Sequence, residues 1–322
     1  MFAEDKAVQA LQCASGRKIM DKTSKNHFIA TMIVVFVMSV ASGSVLAGGL
    51  LSVSFGDATF TTPTNIDNEY WPLLPDGDTS RTFTYFGETE DGCVVDEIFI
   101  VQGDIKAGFA GAYAGITAQV VRDEEWEVED CEAVRTDADR VELTFDWYAQ
   151  DDYGNIWYLG EASRDFGDDC PSEAQVPLGT ADWEVLGFGE LQDECTEGSW
   201  EAGQYGPDDE IIAEAGIVVP SDFPTGEFGK PLSTGTFYMQ EVAEGAEDMA
   251  KILKLNASVS IESGLFAGDW ENCRKVKEWT ALEPGESVEH KYYCPGPGLL
   301  LINGLTGGPT ESEVLNEMIS TP

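Results

Sequence analysis

Histidine is the scarcest ionisable side chain in this sequence: of the two present, His27 lies in an N-terminal leader and His290 stands in the phrase ESVEHKYYCPGPGLL. If that phrase is a strand, His290 and Tyr292 share one face and Lys291 and Tyr293 the other. A histidine and a tyrosine on one face serve as base and acid in β-elimination from an acidic sugar, with a nearby cation such as Lys275 or Lys277 neutralising its carboxylate. The same residues also suit ordinary cross-strand pairing. A second candidate set is Glu244, Glu247 and Asp248 in AEGAEDMAKILKL. Read as the first turn of a helix, this places Glu244 and Asp248 on one face, as one half of a catalytic carboxylate pair or a metal ligand set. Acids there also stabilise the helix dipole. The third set, Asp146, Asp151, Asp152 and Asn155, concentrates oxygen ligands of the kind Ca²⁺ takes in groups of roughly six to eight. Its spacing departs from an EF-hand, and a hairpin turn uses Asp and Asn for their backbone geometry alone.

Exclusions are as informative. With His290 the only histidine beyond the leader, one chain cannot assemble a His-cluster metal site, and a Ser-His-Asp arrangement would have to use that residue. No GxSxG elbow, HExxH or CxxC spacing occurs, and no Gly-rich phosphate loop stands between a strand and a helix. Any demanding chemistry rests on carboxylates, tyrosines, His290 or a metal held by oxygens.

The elements that must position these groups read mainly as strands. TFTYFGETEDGCVVDEIFIV predicts a hairpin turning at Asp91-Gly92, and VELTFDWYAQDDYGNIWYLGEA a second one turning at Gly154-Asn155 between aromatic strands. The spacing of Met249, Ile252, Leu253 and Leu255 predicts one amphipathic helix over 244–255. Residues 163–200 lose periodicity and carry a cysteine near each end, which predicts a disulfide-closed insertion. The fold class is therefore mainly β: an antiparallel curved sheet or barrel-like domain with one helix and that insertion. The domain is expected over 81–303, after an N-terminal extension at 48–80 and before a loose tail at 304–322.

Lys18, Lys22 and Lys25 precede the apolar run FIATMIVVFVMSVASGSVL, as in a secretory signal peptide ending near Ala47. Its removal takes Lys6, Arg17, Lys18, Lys22 and Lys25 with Glu4, Asp5 and Asp21, leaving 13 basic against 56 acidic side chains, a formal charge of −43 where the whole chain has −41. Such a charge repels nucleic acid and anionic lipid and makes the fold depend on screening cations. It suits a salty or calcium-containing medium. Disorder is excluded by 43% hydrophobic residues, with eight Trp, ten Tyr and sixteen Phe. Six cysteines remain after the leader, an even count that predicts three disulfides in an exported protein. Sequence leaves the 15 pairings open. Because each consecutive pair flanks a hairpin or insertion, Cys93 with Cys131, Cys170 with Cys195 and Cys273 with Cys294 are the pairs expected.

Several phrases, NEYWPLLPDGDTSRTFTYFGETEDG, DWYAQDDYGNIWYLGE, GSWEAGQYG, AEDMAKIL and CRKVKEWTALEPGESVEHKYYCPGPGLL, together resemble a widespread family of uncharacterised exported bacterial and archaeal proteins. The resemblance spans most of 68–300 and implies no activity. YYCPGPGLL also looks like the last strand of periplasmic lipoprotein-type curved sheets, a likeness of fold alone, from which Cys294 and Pro297 depart.

Three functional readings follow. One is a secreted or periplasmic protein binding a carbohydrate or small apolar ligand, with or without calcium. Another is a polysaccharide-active enzyme, either a lyase using His290 and Tyr292 or a glycosidase using two carboxylates. The last is a surface or matrix protein whose acidic face binds calcium.

Overall fold

The computed structural model describes residues 49–51, 53–89, 92–167, 170, 195–196, 198–206, 208–221, 232–243, 245–282, 288–306 and 312–322. The expected signal peptide and most of the expected 163–200 insertion lie outside them.

Side chains alternate between faces along long runs rich in Val, Ile and aromatic residues, and those runs form strands. In chain order they are β1 (Ser80–Glu88), β2 (Cys93–Ala107), β3 (Thr117–Val128), β4 (Arg140–Gln150), β5 (Ile156–Asp165), β6 (Trp200–Glu201), β7 (Ala213–Val219), β8 (Phe237–Met239), β9 (Glu241–Ala243), β10 (Asp248–Ile261), β11 (Gly268–Thr280), β12 (Val288–Cys294), β13 (Gly298–Thr306) and β14 (Glu313–Thr321). They make one antiparallel sheet in the order β8-β10-β11-β12-β13-β14-β1-β2-β3-β4-β5-β7-β9, with β6 beside β5. The two ends of this path, β8 and β9, are joined in the chain by Gln240 alone, whose N–H donates to the Asp248 carbonyl at 2.8 Å. The sheet therefore curls until its edges meet, as a nearly closed barrel.

Both expected hairpins form. β1 pairs β2 from Ser80↔Val101 to Glu88↔Cys93. β4 pairs β5 across a turn in which Gly154 adopts φ +87°, a left-handed conformation that favours glycine. All three cysteine pairs are bonded as expected.

Two expectations are corrected. The predicted helix at 244–255 is absent: Asp248 to Leu255 belong to β10, which pairs β8 and β11, and Glu244 lies outside the described residues. Along β10 the buried positions are Ala250 and Ile252, then Ala257, Val259 and Ile261, so the inward phase changes from even to odd numbers across register shifts between Ile252 and Ala257. A bulge of this kind breaks period two and leaves a pattern that imitates a helix. The tail expected to be loose instead contributes β14, which pairs β1 from Ser80↔Thr321 to Phe86↔Val314.

The segment ahead of β1 fills one end of the barrel. Ile66 and Leu73 are fully buried, and Trp71 packs edge-on to Tyr148 and Tyr293, with ring centroids 5.4 and 6.1 Å apart. Burying side chains of this size stabilises by about 1.5–3 kcal/mol each. A barrel of this strand number is too wide for its own side chains to fill, and this plug closes the end where β4 turns into β5.

Candidate functional site

Cross-strand register shows what occupies the other end. One row runs Tyr85, Asp96, Glu125, Glu142, Asp165 across β1 to β5, the next Phe83, Ile98, Asp123, Thr144, Ser163. A third runs Ile100, Val121, Asp146, Glu161 and Trp200 on β6. From the far side of the barrel come Asp248 on β10, Glu278 on β11, Glu289 and Lys291 on β12 and Glu313 on β14, with Glu241 on β9. These groups meet across the interior: the charge of Lys291 acts on Asp123, although β13, β14, β1 and β2 separate their strands along the sheet. Asp248 and Glu241 likewise act on Glu161, and Glu313 on Asp96.

The lumen is thus lined with carboxylates around one lysine. Asp96, Asp123, Glu125, Glu142, Glu161, Glu241 and Asp248 are enclosed by the barrel, yet each keeps part of its surface open to solvent, as expected of a lumen that admits water. Burial raises the pKa of each, and repulsion from neighbouring carboxylates adds to it in all but Asp123, where a hydrogen bond from Asp96 and the charge of Lys291 work the other way. Glu125 is pushed up to about 8 by burial and by Glu142 and Glu313, and Glu241 to about 8 by burial and by Asp248 and Asp146. Asp96, Asp146 and Glu161 lie well above the usual carboxylate range, again through burial first and neighbouring carboxylates second. Lys291 also keeps its proton, and with it its charge. Burial pulls its pKa down, but Glu278 at 3.0 Å and Glu289 at 3.9 Å outweigh that and raise it well above the ordinary value.

The Tyr158 hydroxyl lies 2.5 Å from Asp146 Oδ1 and 2.6 Å from Glu161 Oε2. A phenol has one proton to donate, so holding both contacts requires a proton on one of the two carboxyls. Tyr158 in turn stacks on Tyr148 at 4.7 Å and meets Trp200 edge-on at 5.3 Å. Gly160 lets β6 come this close, since a Cβ there would meet the Trp200 carbonyl oxygen at 2.2 Å.

The residues expected to bind calcium do not converge. Asp146 points into the lumen, whereas Asp151 ties the β4–β5 turn. Its Oδ1 accepts from the N–H groups of Tyr153 and Asn155 at 2.9 Å, and its Oδ2 from Asn155 Nδ2 and Trp157 Nε1 at 2.8 Å. Asp152 reaches outward to the Thr61 N–H at 2.8 Å and hydroxyl at 2.9 Å, which lowers its pKa. Asn155 Oδ1 accepts from the Ser221 N–H at 2.8 Å. Among the described residues no set of three or more His, Cys, Asp or Glu side chains is arranged to hold a metal ion.

His290 and Tyr292 do share a face, and it is the outer one. His290 lies opposite Lys277, and Tyr292 opposite Lys275, whose Nζ sits 5.1 Å from the Tyr292 ring centre. Burial, then the charges of Lys275 and Lys277, lower the His290 pKa and favour the neutral imidazole. Asp248, the other proposed acid, faces the lumen some strands away, so the proposed catalytic residues are not one constellation.

No protein-family model matches the chain, and no curated protein matches it. Two solved structures show limited similarity. One, from Bacteroides fragilis NCTC 9343, is a protein proposed to be exported with a YmcC-like fold; it is 11% identical, with 77% of this chain and 98% of that chain covered at a TM-score of 0.33. The other, a proposed lipoprotein of Parabacteroides distasonis ATCC 8503, is 10% identical over 78% of this chain and 99% of that chain at a TM-score of 0.31. Likeness at that level decides neither fold nor function.

A groove of about 570 Å³ lies on the outer wall between β1, β2, β3 and the loop closed by Cys93–Cys131, lined by Phe99, Arg122, Glu124, Trp126 and Arg135 among others. Its charges are matched in pairs: Arg122 with Glu124, and Arg135 with Glu97 at 3.1 Å. Sequence reasoning sought acid clusters in the turn at Asp151–Asn155 and at a helix start near Asp248, and so missed the lumen. The available signal was the recurrence of Asp or Glu at alternate positions in strand after strand.

Proposed function

We propose that this chain is an exported, non-catalytic binding protein whose barrel takes up an organic cation, of the polyamine class, in its acidic lumen. The observation that supports the reading is the gathering of Asp96, Asp123, Glu125, Asp146, Glu161 and Glu241, from five strands, around a water-accessible interior that Lys291 enters, while Arg274 lies towards the plugged end over Tyr70. The carboxylates are spread along the strands rather than packed into one coordination shell, which favours an extended ligand with several charges over a single metal ion. The carbohydrate or apolar ligand anticipated from the aromatic strands has less support, because Trp71, Tyr148, Tyr158 and Trp200 pack on one another as core.

Export is supported by the leader and by three disulfides, which persist in oxidising compartments. Among the described residues no helix is long and apolar enough to cross a membrane. The outer wall carries Glu97, Arg122, Glu124, Lys251, Lys277 and His290 where a lipid-facing barrel needs an apolar band, which favours an aqueous setting.

Titration calorimetry with spermidine in low salt, above pH 8 where Glu125 and Glu241 ionise, tests the reading. Saturable binding is expected, weakened at least about tenfold by D146N/E161Q, a loss of about 1.4 kcal/mol. Absence of binding, or binding indifferent to that pair, would overturn it.

A further inference from the structure

The outer face of β10 to β12 is the electrostatic opposite of the lumen behind it. In one cross-strand row Lys251 lies opposite Lys277, which lies opposite His290; in the next, Lys254 lies opposite Lys275, which lies opposite Tyr292. Lys251 and Lys254 are exposed and the other four half-buried. Among the described residues none of the four lysines forms an ion pair, in a chain with 59 acidic and 18 basic side chains. The Nζ of Lys277 instead lies 5.0 Å from the Trp279 ring centre, as Lys275 lies over Tyr292.

Like charges directly opposite one another destabilise a sheet. Two consecutive rows of lysines without acidic partners therefore carry a folding cost that a chain so rich in acids had every means to avoid. A polyanion laid across the three strands would remove that cost, and half-buried Tyr292 and Trp279 on the same face offer rings on which sugars stack.

We infer that the β10–β12 outer face is a docking surface for an acidic polysaccharide. The net charge of the chain selects among polyanions, because repulsion grows with the charge density of the ligand. Duplex DNA, with one charge per roughly 1.7 Å, is opposed most strongly, whereas a polyuronate carries one charge per sugar and leaves ring faces for Tyr292 and Trp279.

Polygalacturonate binding to the full mature protein, measured by calorimetry in moderate salt, tests the inference with duplex DNA and phosphatidylglycerol vesicles as competitors for the same face. Binding of polygalacturonate is expected, weakened about tenfold by K251Q/K277Q, since each lost cation removes a salt-dependent contact, and kept by K277R. The double variant should fold and melt slightly higher, because it relieves repulsion. Y292A provides a second probe that leaves the charges in place, with several-fold weaker binding expected. D146N/E161Q in the lumen should leave polygalacturonate binding unchanged. No binding, binding indifferent to K251Q/K277Q, or preference for DNA or vesicles would overturn the inference without touching the lumen reading.

Discussion

Adjacent residues of the same strands build two opposite environments. Inside β11 and β12, buried Glu278 pairs with half-buried Lys291, which also reaches Glu289, and Glu278 accepts from the Tyr293 hydroxyl at 3.2 Å. One residue along, Lys277 stands outside, opposite the like charge of Lys251 and beside the neutral imidazole of His290. On β3 the contrast repeats: Arg122 and Glu124 pair outside, while Asp123 and Glu125 face the lumen. Alternation lets the same strands line the interior with carboxyl groups and set arginine–glutamate pairs on the wall. Dielectric decides the consequence, since a charge is cheap in water and expensive in a barrel.

The largest effect expected from breaking this arrangement is at Lys291. K291M removes the lumen lysine beside Glu278, whose side chains are 24% and 8% exposed, and should cost about 1.5–3 kcal/mol, less than the roughly 3–5 kcal/mol of a fully buried pair because Lys291 is partly solvated. Urea unfolding of the mature protein near neutral pH measures it. A cost below about 1 kcal/mol would mean the lumen is solvated like a surface.

pH comes next. Glu125 and Glu241 have folded pKa values of about 8 against an ordinary 4.5, so between these limits the folded state holds protons that the unfolded state has released. Stability is therefore fully present below about 4.5, falls as pH rises towards about 8 and levels off above it. Melting temperature should decline across that window, and E125Q should flatten the slope. A melting temperature rising from pH 5 to 8 would contradict the assignment.

How much of this was legible beforehand varied with the element. The hairpin at Gly154 and the three disulfides could be read because turn chemistry and cysteine parity are local. β10 was misread as a helix because its bulge changes the inward phase between Ile252 and Ala257. β14 escaped notice because only Leu315 of EVLNEMIST is fully buried, so its place depends on pairing with β1 rather than on its own apolar pattern. The lumen was hidden for a deeper reason. Hydropathy assigns Asp and Glu to the solvent face, and in RDEEW that rule cannot tell Asp123 and Glu125 from Glu124.

A smaller effect is expected on the wall. K277Q should raise stability by a few tenths of a kcal/mol by relieving repulsion with Lys251, read as a small upward shift of the urea midpoint. Added NaCl should shrink that difference through screening and leave the K291M penalty largely intact. Equal salt sensitivity of the two variants would erase the distinction between wall and lumen.

An acidic, water-accessible lumen draws cations to itself and the lysine-rich wall does not. Crystals of the mature protein soaked in rubidium chloride above pH 8, where Glu125 and Glu241 ionise, can be measured at the rubidium absorption edge. Anomalous difference peaks are predicted inside the barrel, within coordination distance of lumen carboxylates such as Asp146 and Glu161, and none beside Lys251, Lys277 and His290. Peaks confined to outer-wall carboxylates, with an empty lumen, would contradict the claim that the interior is an acidic, water-accessible cation site.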